Sequence, residues 1–195
     1  MEVNIYDFDK TVIPFDSGSL FLGYCLLHYP WTIITAPVLA VGGVLLALRI
    51  INMTKFKKFC FCAVALVPLK KAVKGFWDRH EKDIHPWFYE TKKQRPAVVI
   101  SASPDFLLKE IAKRANFDYL ICTHHNEKTG AIIGENCRGN EKVRLFEEKF
   151  EGAKVIDVFS DSIRHDGPIF ALATRDCYHV IKGKPVKFNY NKSAQ

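Results

Sequence analysis

The stretch IYDFDKTVIP, residues 5–14, ends a short apolar run with two aspartates one residue apart, Asp7 and Asp9. Asp is depleted in strands and is a poor interior residue for a helix, and neighbouring carboxylates repel. Taken alone, the pair could be a solvated turn at a strand end. It gains meaning from the elements downstream of it in the chain. The segment 97–102, AVVISA, has the composition of a buried strand, and 104–116, PDFLLKEIAKRAN, that of an amphipathic helix with Pro in its first turn. Residues 118–123 form a further strand candidate, 130–139 part of a small hairpin, 140–150 a helix and 154–160 another strand. A short helix over 167–174 and a last strand over 177–182 complete the series. Repeated strand-helix units imply an α/β fold with a Rossmann-like parallel sheet, whose ligands collect at the carboxyl ends of the strands. Asp7, Asp9, Ser101 and Asp161 all fall at such ends.

The region from about residue 11 to 95 breaks this alternation. We expect a core formed by 1–16 and 96–195 and an inserted helical cap over 17–95. Charge is unevenly spread across the insertion. Residues 17–48 contain no Lys, Arg, Asp or Glu, whereas 49–95 hold 12 basic and 4 acidic residues, a local balance of +8 against +7 for the whole chain. An uncharged apolar run beside a basic cluster points to an anionic membrane surface more readily than to nucleic acid, for which no recognition motif is present. The apolar segment 30–48 approaches the roughly 20 residues needed to cross a bilayer core. A single crossing conflicts with Asp7 and Ser101 sharing one sheet, so a re-entrant hairpin turning near Pro30, or a helix lying in the interface, is expected. Arg49, Lys55, Lys57 and Lys58 would then face headgroups, with Trp77 and Trp87 as interfacial anchors. The alternative is the apolar core of a soluble helical bundle, although such a helix should carry a polar face that 17–48 lacks.

Six cysteines without a C-x-x-C pair read as reduced thiols, and the polar first sixteen residues do not fit a cleavable leader. His124 and His125 lack further ligands at zinc-site spacing and are expected in a surface loop. His28, alone in an apolar run, reads as a packed or interfacial histidine. Ser103 is the expected cap of the helix that begins after it.

Four motifs, DFDKT (7–11), VVISAS (98–103), GNEKV (139–143) and FSDSIRHD (159–166), occur in an order and on element types that resemble the haloacid dehalogenase (HAD) superfamily of phosphohydrolases. The resemblance spans nearly the whole chain and lies with the phosphoserine phosphatase-like branch. Together with the apolar insertion after YPW, SASP and CRGNEKV, it is most similar to the phosphatidylglycerophosphatase C-like subgroup. The resemblance implies a HAD-like fold and a phosphomonoester hydrolase. Asp7 would be the nucleophile that becomes an aspartyl-phosphate, and Asp9 the general acid and base. Ser101, the backbone at Ala102, Lys142 and Thr11 would serve the phosphate, Thr11 by orienting the loop. Mg²⁺ would be held by Asp7, the carbonyl of Asp9 and Asp161, with Asp166 orienting the metal's ligands.

Two adjacent carboxylates suit this chemistry, because one must stay ionised to attack while the other carries a proton. Uncatalysed phosphate monoester hydrolysis can require acceleration of up to roughly 10²¹-fold. The chain departs from the pattern at Lys10, where Gly is frequent, at Ala102, and in the five-residue step from Asp161 to Asp166 where four is usual. By the same resemblance the substrate would be a lipid phosphate such as phosphatidylglycerophosphate, met at the cytoplasmic face of the membrane. A soluble phosphatase acting on a small ester such as phosphoserine is the alternative, and would need Asp16 and Arg79 to recognise the leaving group. A non-catalytic phospholigand module is a third possibility, which the intact acidic pair disfavours.

Overall fold

The computed structural model describes residues 1–51 and 53–190. Six strands, β1 (Glu2–Tyr6), β2 (Ala97–Pro104), β3 (Tyr119–Thr123), β4 (Lys154–Ser160), β5 (Asp176–Ile181) and β6 (Lys184–Phe188), form one sheet in the order β3-β2-β1-β4-β5-β6. All neighbours are parallel except β5 and β6. Strand order reverses at β1, which lies between β2 and β4, so the switch point where open α/β sheets bind ligands falls at Asp7.

Alternation along the central strands sorts their side chains to two faces. Val3, Ile5, Val98 and Ile100 meet Phe146 and Phe170 on one face, from α7 (Asn140–Lys149) and α8 (Ile163–Phe170). Tyr6 and Val99 meet Phe76, Trp77, Phe88 and Leu107 on the other, from α4 (Leu69–His80), α5 (Pro86–Lys92) and α6 (Asp105–Arg114). Trp77 is fully buried and donates from Nε1 to the carbonyl of Leu107 at 2.8 Å. Trp87 stacks on Phe159 and donates to the carbonyl of Gly183 at 2.9 Å. The expectation that both are membrane anchors is therefore corrected. The charges around Trp77 fall on the other side of an amphipathic helix whose apolar stripe faces the sheet.

Between β1 and α4 lie α1 (Ser17–His28), a 3-10 segment Pro30–Thr35, α2 (Ala36–Ala47), α3 (Met53–Cys60) and a 3-10 segment Phe61–Leu66. Asp16 caps α1 by accepting from the amide of Ser19 at 2.8 Å. The chain folds back after Leu48, where Arg49 takes φ +58°, and α2 meets α3 through Gly42, which faces the ring of Phe56. The hairpin thus turns at Arg49, where the left-handed conformation ends α2, while Pro30 opens a helical segment. Residues Pro30–Ala47 are long and apolar enough to cross a membrane by length and composition, and only 11% of that window is buried. Leu27 is 81% and Ile34 72% exposed. The side chains of Lys57 and Lys58 lie outside the described residues. His28 packs as expected, stacked on Tyr24 with Nδ1 2.9 Å from that residue's carbonyl.

Three local expectations are revised. α8 begins at Ile163 instead of residue 167, because Ser162 caps it by accepting from the amide of His165 at 3.3 Å. The chain after β5 makes a two-residue turn at Lys182 and Gly183, both at positive φ, and returns as β6. His124 and His125 are not a plain surface loop: the His125 side chain is buried, its amide donates to Asp105 Oδ1 at 3.0 Å, and His124 Nδ1 lies 2.8 Å from Asp105 Oδ2. The expected small hairpin is present: His125 and Ile132 form an antiparallel bridge, flanked by bonds from the Asn126 amide to the Ala131 carbonyl and from the Ile133 amide to the His124 carbonyl, both 2.8 Å.

Candidate active site

The carboxyl ends of β1, β2 and β4 open into a cavity of about 650 Å³ walled by Asp7, Asp9, Lys142 and Asp161 from the sheet side, by Asp16 just before α1, and by Leu22, Phe56 and Phe61 from the insertion. β1 delivers Asp7 because its amide continues the ladder, donating to the carbonyl of Phe159 at 2.9 Å, after which the chain leaves the sheet. Lys10 comes next in the left-handed conformation at φ +58°. Its carbonyl-side neighbour Thr11 is buried and ties the loop after β1 to the loop after β4. Thr11 Oγ1 donates to Asp7 Oδ2 at 3.2 Å and accepts from the amide of Asp161 at 2.9 Å.

Lys142 is buried at the start of α7, behind Gly139 at φ +59°, and its ammonium bridges two carboxylates. It lies 2.6 Å from Asp7 Oδ1 and 2.8 Å from Asp166 Oδ1. Asp166 Oδ2 also accepts from Ser160 Oγ at 2.6 Å. Both oxygens of Asp166 are thereby engaged with Lys142 and Ser160. In this arrangement Asp166 acts as counter-ion of the lysine, where the sequence had placed it beside a metal. Burial disfavours the charged ammonium, but the two carboxylates outweigh it and raise the Lys142 pKa. Burial pushes Asp7 up to about 7 against the pull of Lys142. The buried charges sum to an excess anion: two carboxylates, one cation.

Asp9 is held differently. Its Oδ1 accepts from the amide of Ser17 at 2.7 Å, and its Oδ2 accepts a short hydrogen bond from Ser103 Oγ and a longer one, 3.4 Å, from Ser101 Oγ. Ser17 Oγ donates in turn to Ser103 Oγ at 3.1 Å. Burial raises the Asp9 pKa, opposed by the hydrogen bonds from Ser103 and Ser17. Ser103 was expected to cap α6. Pro104 occupies the cap position with no side-chain bond, and the Ser103 hydroxyl turns to Asp9 instead. Ser101 is buried behind Ser103, accepting from its amide at 3.0 Å, while Ala102 and Ser103 line the cavity.

Ser17, Ser103, Arg138 and His165 are site residues that the sequence reading did not assign there. Arg138 and His165 face the same cavity, and burial together with Arg138 and Arg164 lowers the His165 pKa. Arg138 stands in CRGNEKV, four residues before Lys142, which was the available signal. Of the two residues considered for a small leaving group, Asp16 lines the cavity, whereas Arg79 lies over the ring of Tyr24 at 5.5 Å.

A divalent cation fits this donor set. Asp7 and Asp161 present carboxylates to one cavity, and burial together with repulsion from Asp166 raises the Asp161 pKa although Lys10 and Lys142 oppose it. Among the described residues there is no cluster of three or more His, Cys, Asp or Glu side chains suited to a metal. Two carboxylates, a backbone carbonyl and water match Mg²⁺, which keeps much of its hydration, better than a softer or more heavily ligated ion.

A sheet switch point carrying paired aspartates, a buried lysine and a polar loop after β2 defines a hydrolase of known type. Residues 5–170 match the haloacid dehalogenase-like hydrolases, and the chain belongs to that family. It is similar to Protein CicA of Caulobacter vibrioides, 30% identical over 94 residues, a match spanning 45% of this chain and 42% of that curated relative, under half its length. Among solved structures it resembles a Bordetella pertussis Tohama I protein of unknown function, with TM-score 0.66 and 14% identity over 80% of this chain and 81% of that one. A phosphoserine phosphohydrolase-like protein from Francisella tularensis superposes with TM-score 0.58 and 16% identity, covering 93% and 88% of the two chains. A phosphoserine phosphatase in apo form gives 0.56 and 19%, covering 88% and 82%. At these identities the likeness speaks to the fold.

Proposed function

We propose that the chain is a Mg²⁺-dependent phosphomonoester hydrolase working through an aspartyl-phosphate on Asp7. The observation that carries this is the pairing of two unlike carboxylates at one cavity. Asp7 is clamped by the Lys142 ammonium at 2.6 Å, whereas Asp9 is held by two serine hydroxyls and an amide and, among the described residues, has no cation in hydrogen-bond contact. Burial raises the pKa of both carboxyls; at Asp7 the Lys142 ammonium opposes it and pulls towards the ionised form a nucleophile needs, whereas at Asp9 only neutral hydroxyl and amide donors oppose it, as suits a general acid. An Asp7 oxygen bonds to phosphorus as the ester oxygen departs with the proton from Asp9. Asp9 then takes a proton from water as its oxygen attacks phosphorus, breaking the bond to Asp7 and releasing inorganic phosphate. Lys142 and backbone donors beside Ala102 offset charge on the phosphoryl oxygens. Mg²⁺ bound by Asp7, Asp161 and the carbonyl of Asp9 would supply further charge neutralisation.

For the substrate, we favour a lipid phosphate such as phosphatidylglycerophosphate, taken from an anionic membrane surface. Leu22, Phe56 and Phe61 give the cavity an apolar wall on the insertion side, and Trp31, Ile34, Val41 and Leu48 of the same insertion are exposed. Basic residues after residue 48 complement anionic headgroups. Asp16 on the cavity wall favours the second reading, a small polar ester such as phosphoserine.

The test is phosphate release with Mg²⁺ from p-nitrophenyl phosphate, phosphoserine and a lipid phosphate in mixed micelles. Wild type should turn over the lipid best and Asp7→Asn nothing. Retained turnover in Asp7→Asn would overturn the reaction, and preference for phosphoserine would overturn the lipid. In flotation with anionic vesicles, Trp31→Ser/Ile34→Ser should lose binding that the wild type shows.

A further inference from the structure

Behind the loop that carries Asp7 and Asp9 lies a second cavity of about 450 Å³, and Lys10 and Asp161 stand in the walls of both. Its other polar lining comes from His85, His179 and Lys182. Both lysines are at positive φ, Lys10 at +58° and Lys182 at +49°, a conformation that is strained for a residue with a side chain and that glycine takes freely. Two strained backbone positions thus each carry an ammonium at the edge of one cavity. Neither lysine forms an ion pair among the described residues, although Lys10 is near enough to Asp161 to favour its ionised form.

Of the two imidazoles, one is already engaged and one is not. His179 Nε2 lies 2.9 Å from the carbonyl of Asp161, which fixes the proton on Nε2 and secures the ring beside that residue. His85 is anchored through its amide, which donates to the carbonyl of Val12 at 2.9 Å, and its ring presses on Gly183, where an added Cβ would come within 2.6 Å. Its Nε2 is buried with no hydrogen-bond partner among the described residues. Such an atom calls for a ligand or water. The lining holds two ammonium groups against the one carboxylate of Asp161.

We infer that this second cavity binds an anionic oxygen group, a phosphate or a carboxylate, between Lys10 and Lys182 with an imidazole donor at its wall. The inference concerns binding and stands apart from the proposed reaction. The anion has two possible sources: a second acidic group on the substrate, or a free anion held next to the site.

The experiment is a sulfate titration of the full chain, monitored through the imidazole resonances of His85 and His179. Wild type should give saturable shifts of both. Lys182→Gly and Lys10→Gly each remove a charge while relaxing the backbone, so loss of fold is not the expected confounder, and each should weaken the apparent affinity about tenfold or more. Far-ultraviolet spectra and melting confirm that each variant is folded. Shifts that do not saturate, that persist unchanged in both variants, or that are confined to residues around Lys142 and Ser101 would overturn the inference.

Kinetics then separate the sources. If the anion is part of the substrate, Lys182→Gly lowers kcat/KM more for an ester bearing a second acidic group than for p-nitrophenyl phosphate. If it is free, sulfate alters the rates of both substrates alike and Lys182→Gly abolishes that effect. Absence of turnover would count against the proposed function and leave the binding result standing.

Discussion

Replacing Asp7 by Asn should stabilise the metal-free protein while abolishing turnover. In the buried group of Asp7, Lys142 and Asp166, one ammonium serves two carboxylates. Burial pushes the Asp7 carboxyl up to about 7 from its ordinary 3.8. The folded state therefore keeps a proton that the unfolded chain has released, and the wild type loses stability as pH rises from near 4 to near 7. At about 1.4 kcal/mol per pH unit, the full shift corresponds to an upper bound of about 4 kcal/mol at pH 8. That bound already includes the pull of Lys142, and taking about half of it for a site that relaxes around the charge gives an expected net gain of about 2 kcal/mol for asparagine, or about 4–8 °C in Tm for a chain of this size. Lys142 keeps its contact with Asp166 at 2.8 Å and is not orphaned. Thermal melts in EDTA at pH 8 and pH 4.5 test this, the gap closing at the lower pH. Mg²⁺ at a hundred times its dissociation constant should then raise wild-type stability by about 2.7 kcal/mol and that of Asp7→Asn by much less. A variant that is less stable at pH 8, or a gap that does not change with pH, would refute the electrostatic account of the site.

The same geometry sets three further outcomes. Lys142→Met should leave Asp7 and Asp166 facing each other without a cation and cost about 3–5 kcal/mol in urea unfolding at pH 8, with part recovered by adding Asp166→Asn. Ser103→Ala removes a hydrogen bond that favours ionised Asp9, so the Asp9 pKa should rise and the limb of the kcat/KM profile that it governs should move to higher pH, while Tm changes little. Trp77→Ala should destabilise by about 3–5 kcal/mol, because the ring is fully buried and its Nε1 bonds to Leu107. An effect below about 1 kcal/mol, as for an exposed anchor, would return Trp77 to the surface.

The sheet was legible because its strands announce themselves locally. Val98, Val99 and Ile100 are buried on both faces and read as an uninterrupted apolar run, and Asp7, Ser101 and Asp161, at or just beyond the carboxyl-terminal parts of β1, β2 and β4, put chemistry at one end of the sheet. The insertion was harder to place. Residues 17–48 carry no charge, so no polar stripe marks which face of α1 or α2 turns inward, and a turn at Arg49 depends on a left-handed residue that is not a glycine. β6 was missed since its cue is a two-residue turn, Lys182 and Gly183, with only one glycine.

Within the site, residue types were legible and partnerships were not. SASP looks like a helix start, because a serine before Pro and Asp satisfies every local rule for a cap. What draws the Ser103 hydroxyl away is Asp9, 94 residues earlier in the chain, and what buries Lys142 is Asp7, 135 residues earlier. The tie from Ser17 to Asp9 has a physical consequence that no local pattern carries. Ser17 is the first residue of α1, so the insertion begins with an amide bonded at 2.7 Å to the carboxylate proposed to move the proton. Any tilt of α1 that lengthens this bond removes a donor favouring the charged form of Asp9, and so couples the position of the insertion to the protonation of the acid.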